Sequence, residues 1–134
     1  MIQNECLILG DSIAVGLHRQ MPQCESLSRG GINSSQWGRD YLKNDLTAKT
    51  VIISLGSNDY KSIKTKAELI FIREKVVGRV FWILPAIKPN IQNIVLDIAN
   101  QYGDTVVPIT HASDGVHPSR EGYKQIAIKV RGEK

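Results

Sequence analysis

Four short stretches of this chain hold residue types that can do chemistry together. They are Gly10-Asp11-Ser12, the Gly30-Gly31 pair in "SRGGINSS", "GSND" from Gly56 to Asp59, and "DGVHPS" from Asp114 to Ser119. A serine, a histidine, a nearby carboxylate, glycines and an asparagine are the components of acyl transfer. Ser12 is the candidate nucleophile, but a serine hydroxyl is weak unless a base takes its proton as it attacks. His117 is the candidate base, because an imidazole titrates near neutral pH. Asp114 lies three residues before it. From there a carboxylate can reach back to one ring nitrogen, leave the other facing Ser12, and stabilise the imidazolium. The oxyanion of the intermediate needs donors. The backbone N–H of Ser12, the backbone N–H of Gly31 and the side-chain amide of Asn58 can supply them. A helix opening at Ser12 would add its positive dipole end.

Each of these residues also has a plainer role. Ser12 alone would cap a helix. Asn58 and Asp59 would turn the chain after a strand, and Asp11 would support its loop by accepting backbone amides. A phosphate-binding loop at a helix N-terminus fits poorly with the acidic Asp11 and the lack of a glycine-rich run. The chemical reading gains from position: all four stretches follow apolar runs that read as strands.

Those runs alternate with helical patterns along the whole chain. "CLIL" precedes a helix from about Ile13 to Met21, and "CESLS" precedes one near Ser35 to Leu42. "TVIISLG" is β-branched and almost wholly apolar, as a strand buried on both faces should be, and a helix follows from about Lys66 to Val77. "RVFWIL" stops at Pro85. Ile91, Ile94, Val95, Ile98, Ala99 and Tyr102 then form an apolar stripe at helical spacing. "TVVPI" is a short fifth strand, where Pro108 suits an edge or a strand end. The last helix runs from about Ser119 to Val130. Five strand–helix alternations predict a single α/β domain over residues 1–134, a three-layer α/β/α sandwich on a five-stranded parallel sheet. The simplest order is the flavodoxin-like 2-1-3-4-5, which brings the four stretches to the carboxyl edge of the sheet.

"GDSIAVGL", Gly31-Ile32-Asn33-Ser34, "GSND" and "DGVHPS" resemble the four blocks of the SGNH, or GDSL-type, hydrolases, in the family's order and over nearly the whole chain. The resemblance implies that Ser12 is the nucleophile and that Gly31 and Asn58 complete the oxyanion hole. It makes His117 the base, with Asp114 as its partner. It also implies hydrolysis of esters or thioesters with no metal and no organic cofactor. Three departures stand out. The stretch from Asn58 to Asp114 is short for the family, the first block reads Ser-Ile in place of Ser-Leu, and Gly30 competes with Gly31 for the oxyanion amide. The G-x-S-x-G elbow of the α/β-hydrolases is absent. So short a chain leaves little material for a lid or acyl tunnel, which favours a short acyl group, foremost acetyl on a carbohydrate. The alternatives are a lysophospholipase or acyl-thioesterase, and a binding module that kept the fold without turnover. Tyr60, Arg29 and His111 flank the proposed site as candidate substrate contacts.

Composition narrows the partners. The 134 residues carry a net charge of +4, with Lys and Arg scattered rather than clustered. That pattern is solvated surface, so no nucleic-acid partner is expected. No apolar window is long enough for a membrane span. The N-terminus has no basic segment before its apolar stretch and does not read as a signal peptide. The expected setting is therefore cytoplasmic, with association with an envelope or virion assembly as the alternative. Cys6 and Cys24 lack metal-site spacing. Each opens a strand candidate, and the two strands could be neighbours, which makes a disulfide conceivable; two reduced thiols are the expectation for an intracellular chain.

Overall fold

The computed structural model describes residues 4–109 and 114–132. Ten elements alternate without exception: β1 (Asn4–Gly10), α1 (Ser12–Gln20), β2 (Glu25–Ser28), α2 (Ser34–Tyr41), β3 (Thr47–Ser54), α3 (Thr65–Lys75), β4 (Val77–Leu84), α4 (Pro89–Tyr102), β5 (Thr105–Pro108) and α5 (Arg120–Arg131). All strand pairings are parallel and the order is β2-β1-β3-β4-β5, as expected from the sequence.

The strands divide their side chains between two cores. Leu7, Leu9, Val51, Ile53, Val80 and Trp82 face α2, α3 and α4, where Trp37, Leu69, Ile72, Val95 and Ile98 meet them. The alternate positions Cys6, Ile8, Ile52, Phe81, Ile83 and Val107 face α1 and α5, against Ile13, Ala14, Leu17, Ile126 and Ala127. Each strand residue thus points to the opposite face from its neighbour. The central strand is apolar along consecutive positions because both of its faces are covered: Val51, Ile52 and Ile53 are all fully buried. Pro108 closes β5, an edge strand, where a missing N–H costs no ladder bond.

Two further features hold the frame. Arg73 on α3 donates through Nε and Nη2 to both oxygens of Asp104, at 2.6 and 2.9 Å, and the Trp82 indole donates to the same carboxylate at 2.9 Å. This ties α3, β4 and the entry to β5 at the end of the sheet away from the four chemical stretches. Cys6 and Cys24 are joined in a disulfide, which corrects the expectation of two free thiols. The register explains it. β1 and β2 pair with Leu7 opposite Glu25, so the residues one position earlier lie side by side, with their Cα atoms 4.8 Å apart. Both cysteines are buried, and the bridge closes a loop that contains the end of β1 and all of α1.

Candidate active site

The junction of β1 and α1 is shaped by contact between backbones. Gly10 has φ +142°, and a Cβ placed there would lie 1.9 Å from the carbonyl oxygen of Ser54 on β3. Only glycine fits. The next amide, Asp11 N–H, donates to that same carbonyl at 3.0 Å. Asp11 is the N-cap of α1. Its Oδ1 accepts from the Ile13 N–H at 3.0 Å and from the Ser54 hydroxyl at 3.0 Å. Its Oδ2 is buried without a partner, and burial pushes the carboxyl up to about 6.

Capping by Asp11 has a chemical consequence. Ser12 becomes the first helical residue, so its hydroxyl is not drawn into capping. Instead, Ser12 Oγ lies 2.7 Å from His117 Nε2. The other ring nitrogen, Nδ1, lies 2.8 Å from Asp114 Oδ2. The second carboxylate oxygen accepts two backbone N–H groups, from Val116 at 2.9 Å and His117 at 2.6 Å. These bonds hold the Asp114 carboxyl well below the usual carboxylate range, the backbone N–H of His117 contributing most and the imidazole contact next. An ionised Asp114 can only accept, so Nδ1 carries the ring proton and Nε2 is left as the acceptor for the serine hydroxyl. Ser119 then caps α5 by accepting from the Gly122 N–H at 3.1 Å, which anchors the loop to a helix. The His117 and Asp114 side chains stay 40% and 56% exposed, so this relay is open to water.

The second glycine stretch forms a turn closed by the Ile32 N–H on the Arg29 carbonyl at 3.3 Å. Gly31 is its third residue with φ +78°, the conformation that glycine favours there. The Arg29 N–H bonds the Gly10 carbonyl at 3.0 Å, which sets this turn beside the β1–α1 junction. A Cβ on Gly30 would stand 3.9 Å from that of Ser12, while one on Gly31 would meet open space. Among the described residues, the Gly31 N–H and the Ser12 N–H have no protein acceptor. Asn58 joins the same turn from the loop after β3. Its Nδ2 donates to the Ile32 carbonyl at 3.0 Å, and the second N–H of that amide has no protein acceptor among the described residues. Asp59 is buried and fastens this loop, accepting from the Ser34 N–H at 2.8 Å, the Ser34 hydroxyl, and the Thr65 hydroxyl at 2.7 Å.

The flanking candidates part company. Tyr60 is 63% exposed beside the Asn58 loop, at the edge of a cavity of about 490 Å³. Arg29 is engaged with Asp40 at 3.0 Å. His111 lies outside the described residues. Two features that shape the site were not expected from the sequence: Lys88 Nζ on the Ser57 and Asp59 carbonyls, and a capping box on α2. Lys88 left no sequence signal, because its partners are backbone carbonyls far along the chain. The capping box of α2, with Asn33 Oδ1 accepting from the Gln36 N–H and Gln36 Oε1 from the Asn33 N–H, is written in the sequence as Asn-x-x-Gln. Among the described residues no group of three or more His, Cys, Asp or Glu could hold a metal ion, and no helix is long and apolar enough to cross a membrane.

The sequence matches no protein-family model and no curated protein. Solved structures share the fold. A candidate acylhydrolase from Bacteroides fragilis NCTC 9343 superposes with a TM-score of 0.69 at 17% identity, covering 96% of this chain and 85% of that one. The C-terminal catalytic domain of peptidoglycan O-acetyltransferase A from Streptococcus pneumoniae, solved with a methylsulfonyl adduct, also gives 0.69 at 17% identity, covering 98% of this chain and 93% of that one.

Proposed function

We propose that this chain, which has the SGNH-hydrolase fold, is a serine esterase working through an acyl-enzyme on Ser12. The observation that carries the reading is the continuous relay from Ser12 Oγ through His117 to Asp114, with contacts of 2.7 and 2.8 Å. In the first half-reaction Ser12 Oγ bonds to the ester carbonyl carbon while its proton passes to His117 Nε2. The carbonyl oxygen takes up negative charge among the N–H groups of Ser12 and Gly31 and the free amide hydrogen of Asn58. Asp114 holds the imidazolium through Nδ1–H. His117 then returns the proton to the departing alkoxide, and the acyl–Ser12 ester remains. In the second half, His117 takes a proton from water, the hydroxide adds to the acyl carbon, and Ser12 leaves with that proton. Loss of one oxyanion donor typically costs about 2.7–4 kcal/mol of barrier. Asn58 is the donor most open to test, because its side chain can be removed without touching backbone.

The preferred substrate is a short-chain ester, foremost an acetyl group on a carbohydrate. The wetness of the relay supports this: an exposed His117 and Asp114 suit a small acyl group better than a long chain that needs an apolar sleeve. The likeness to a domain named for peptidoglycan O-acetyl transfer favours a second reading, in which a carbohydrate hydroxyl replaces water as acceptor. A chain-length series of p-nitrophenyl esters tests the acyl preference. Activity highest on acetate is the expected result, and a preference for octanoate or longer would favour the lysophospholipase or thioesterase reading. Labelling of Ser12 by a fluorophosphonate separates any of these from a fold kept only for binding. The disulfide favours the envelope- or virion-associated setting over the cytoplasmic one, since such bonds persist in oxidising compartments. Thiol alkylation of the protein taken directly from its native source, with both cysteines blocked to the reagent, is the result expected of that setting.

A further inference from the structure

Lys88 occupies an unusual position for a lysine. It precedes Pro89 at the start of α4 and has φ +64° and ψ +80°. It is the one non-glycine residue with positive φ among the described residues. A residue before proline is normally driven to extended backbone, and L side chains are disfavoured at positive φ. Strain of this kind persists only where surrounding contacts hold it. The contacts here are made by the side chain. Lys88 Nζ donates to the carbonyl of Ser57 at 2.8 Å and to the carbonyl of Asp59 at 2.9 Å. These are the two carbonyls on either side of Asn58, and neither has another protein donor among the described residues. One ammonium therefore grips the backbone before and after a single residue.

We propose that Lys88 is a positioning residue that aims the Asn58 amide at the oxyanion, an inference that rests on Asn58 being an oxyanion donor. The division of labour in the loop supports it. Asp59 already secures the loop to α2 and α3 through Ser34 and Thr65. Asn58 reaches the glycine turn through one of its two amide hydrogens. What remains free is the tilt of the peptide units carrying Asn58, and that tilt sets where the second amide hydrogen points. The Lys88 clamp fixes it. An ammonium has three donors and can hold two carbonyls at once, which no neutral side chain of similar length does as strongly.

The test measures hydrolysis of p-nitrophenyl acetate by Lys88→Gly, Lys88→Met, Asn58→Ala and the two double variants, with thermal melting of each. Lys88→Gly relieves the backbone strain and so retains the fold while removing the amine, and Lys88→Met keeps most of the stem. Both are expected to lower kcat by about tenfold to a hundredfold, the scale of a misplaced catalytic group. KM should stay within about twofold, since the clamp acts on the oxyanion and not on substrate binding. In the Asn58→Ala background either Lys88 change should cost less than about threefold more, because the two residues act as one unit. Unchanged kcat in both single variants would overturn the proposal, as would a full multiplicative loss on top of Asn58→Ala. Wild-type activity in Asn58→Ala would overturn the oxyanion reading itself, and Lys88 with it.

Discussion

Asp114 presents a sharp test because its two oxygens have different duties. Oδ2 faces His117 Nδ1, while Oδ1 accepts the backbone N–H groups of Val116 and His117 at 2.9 and 2.6 Å. In Asp114→Asn one oxygen becomes an NH2 group that can only donate. If the amide keeps its oxygen on the two backbone donors, the NH2 faces Nδ1. That forces the ring proton to Nε2, where it blocks proton acceptance from Ser12. If the amide flips to serve Nδ1, it sets its NH2 against two N–H donors and forfeits both bonds. Each such bond is worth a factor of about five to ten, so the active arrangement falls to roughly one part in 25 to one part in 100. Asp114→Ala removes the carboxylate but imposes no tautomer, and with His117 40% exposed a water can accept Nδ1–H. An exposed ion pair is weak, so the alanine variant should lose less than about tenfold in kcat. The expectation is therefore an inversion: the near-isosteric asparagine is the worse enzyme by at least about 2.5-fold. Steady-state kcat for p-nitrophenyl acetate at about pH 8, the same for every variant, reads it out. An asparagine variant as active as alanine, or more so, would refute the tautomer argument.

Other consequences follow from burial and backbone. Asp11 titrates at about 6 in the folded protein against 3.8 for an unperturbed aspartate. The folded state thus holds its proton more tightly than the unfolded chain, and stability is lost as pH rises between those values. The scale is about 3 kcal/mol, and subtracting the unfolding profile of Asp11→Asn from that of the wild type should isolate it. A flat difference between pH 4 and 6.5 would contradict the assignment. Gly10→Ala drives a Cβ into the Ser54 carbonyl and should destabilise by more than about 4 kcal/mol. A soluble variant with near-wild-type melting would refute the close contact. Reduction of the Cys6–Cys24 bridge, or Cys24→Ser, releases an 18-residue loop and should cost about 3 kcal/mol. Urea titration with and without reductant checks this, and coincident curves would count against it.

The sheet order was legible because each strand is a short apolar run ended by glycine, proline or a polar turn, and because crossover handedness leaves few topologies. Ser12, Asp114 and His117 could be paired because Asp114 and His117 are local to each other and Ser12 ends the first strand. What sequence could not give was the assignment of duties between neighbours. Ser12 and Asp11 are equally good caps on paper. The structure gives the cap to Asp11, because the Gly10 bend brings Ser54 within reach of its carboxylate. The redox state of the cysteines is not legible from an expected compartment; it follows from the register, which places them side by side. Lys88 was invisible because backbone carbonyls carry no sequence identity and the lysine reaches them from 29 and 31 residues away.

The account rests on Ser12 as nucleophile, and the most direct measurement is the rate of p-nitrophenyl acetate hydrolysis by wild type and Ser12→Ala at equal concentration. The variant keeps the Asp11 cap, the α1 start and the oxyanion amides, so its fold should be intact by melting temperature. The account expects its kcat to fall by several orders of magnitude, about 10⁴ to 10⁶, leaving only the residual rate that the oxyanion donors and binding supply. Equal rates in the two proteins would contradict it.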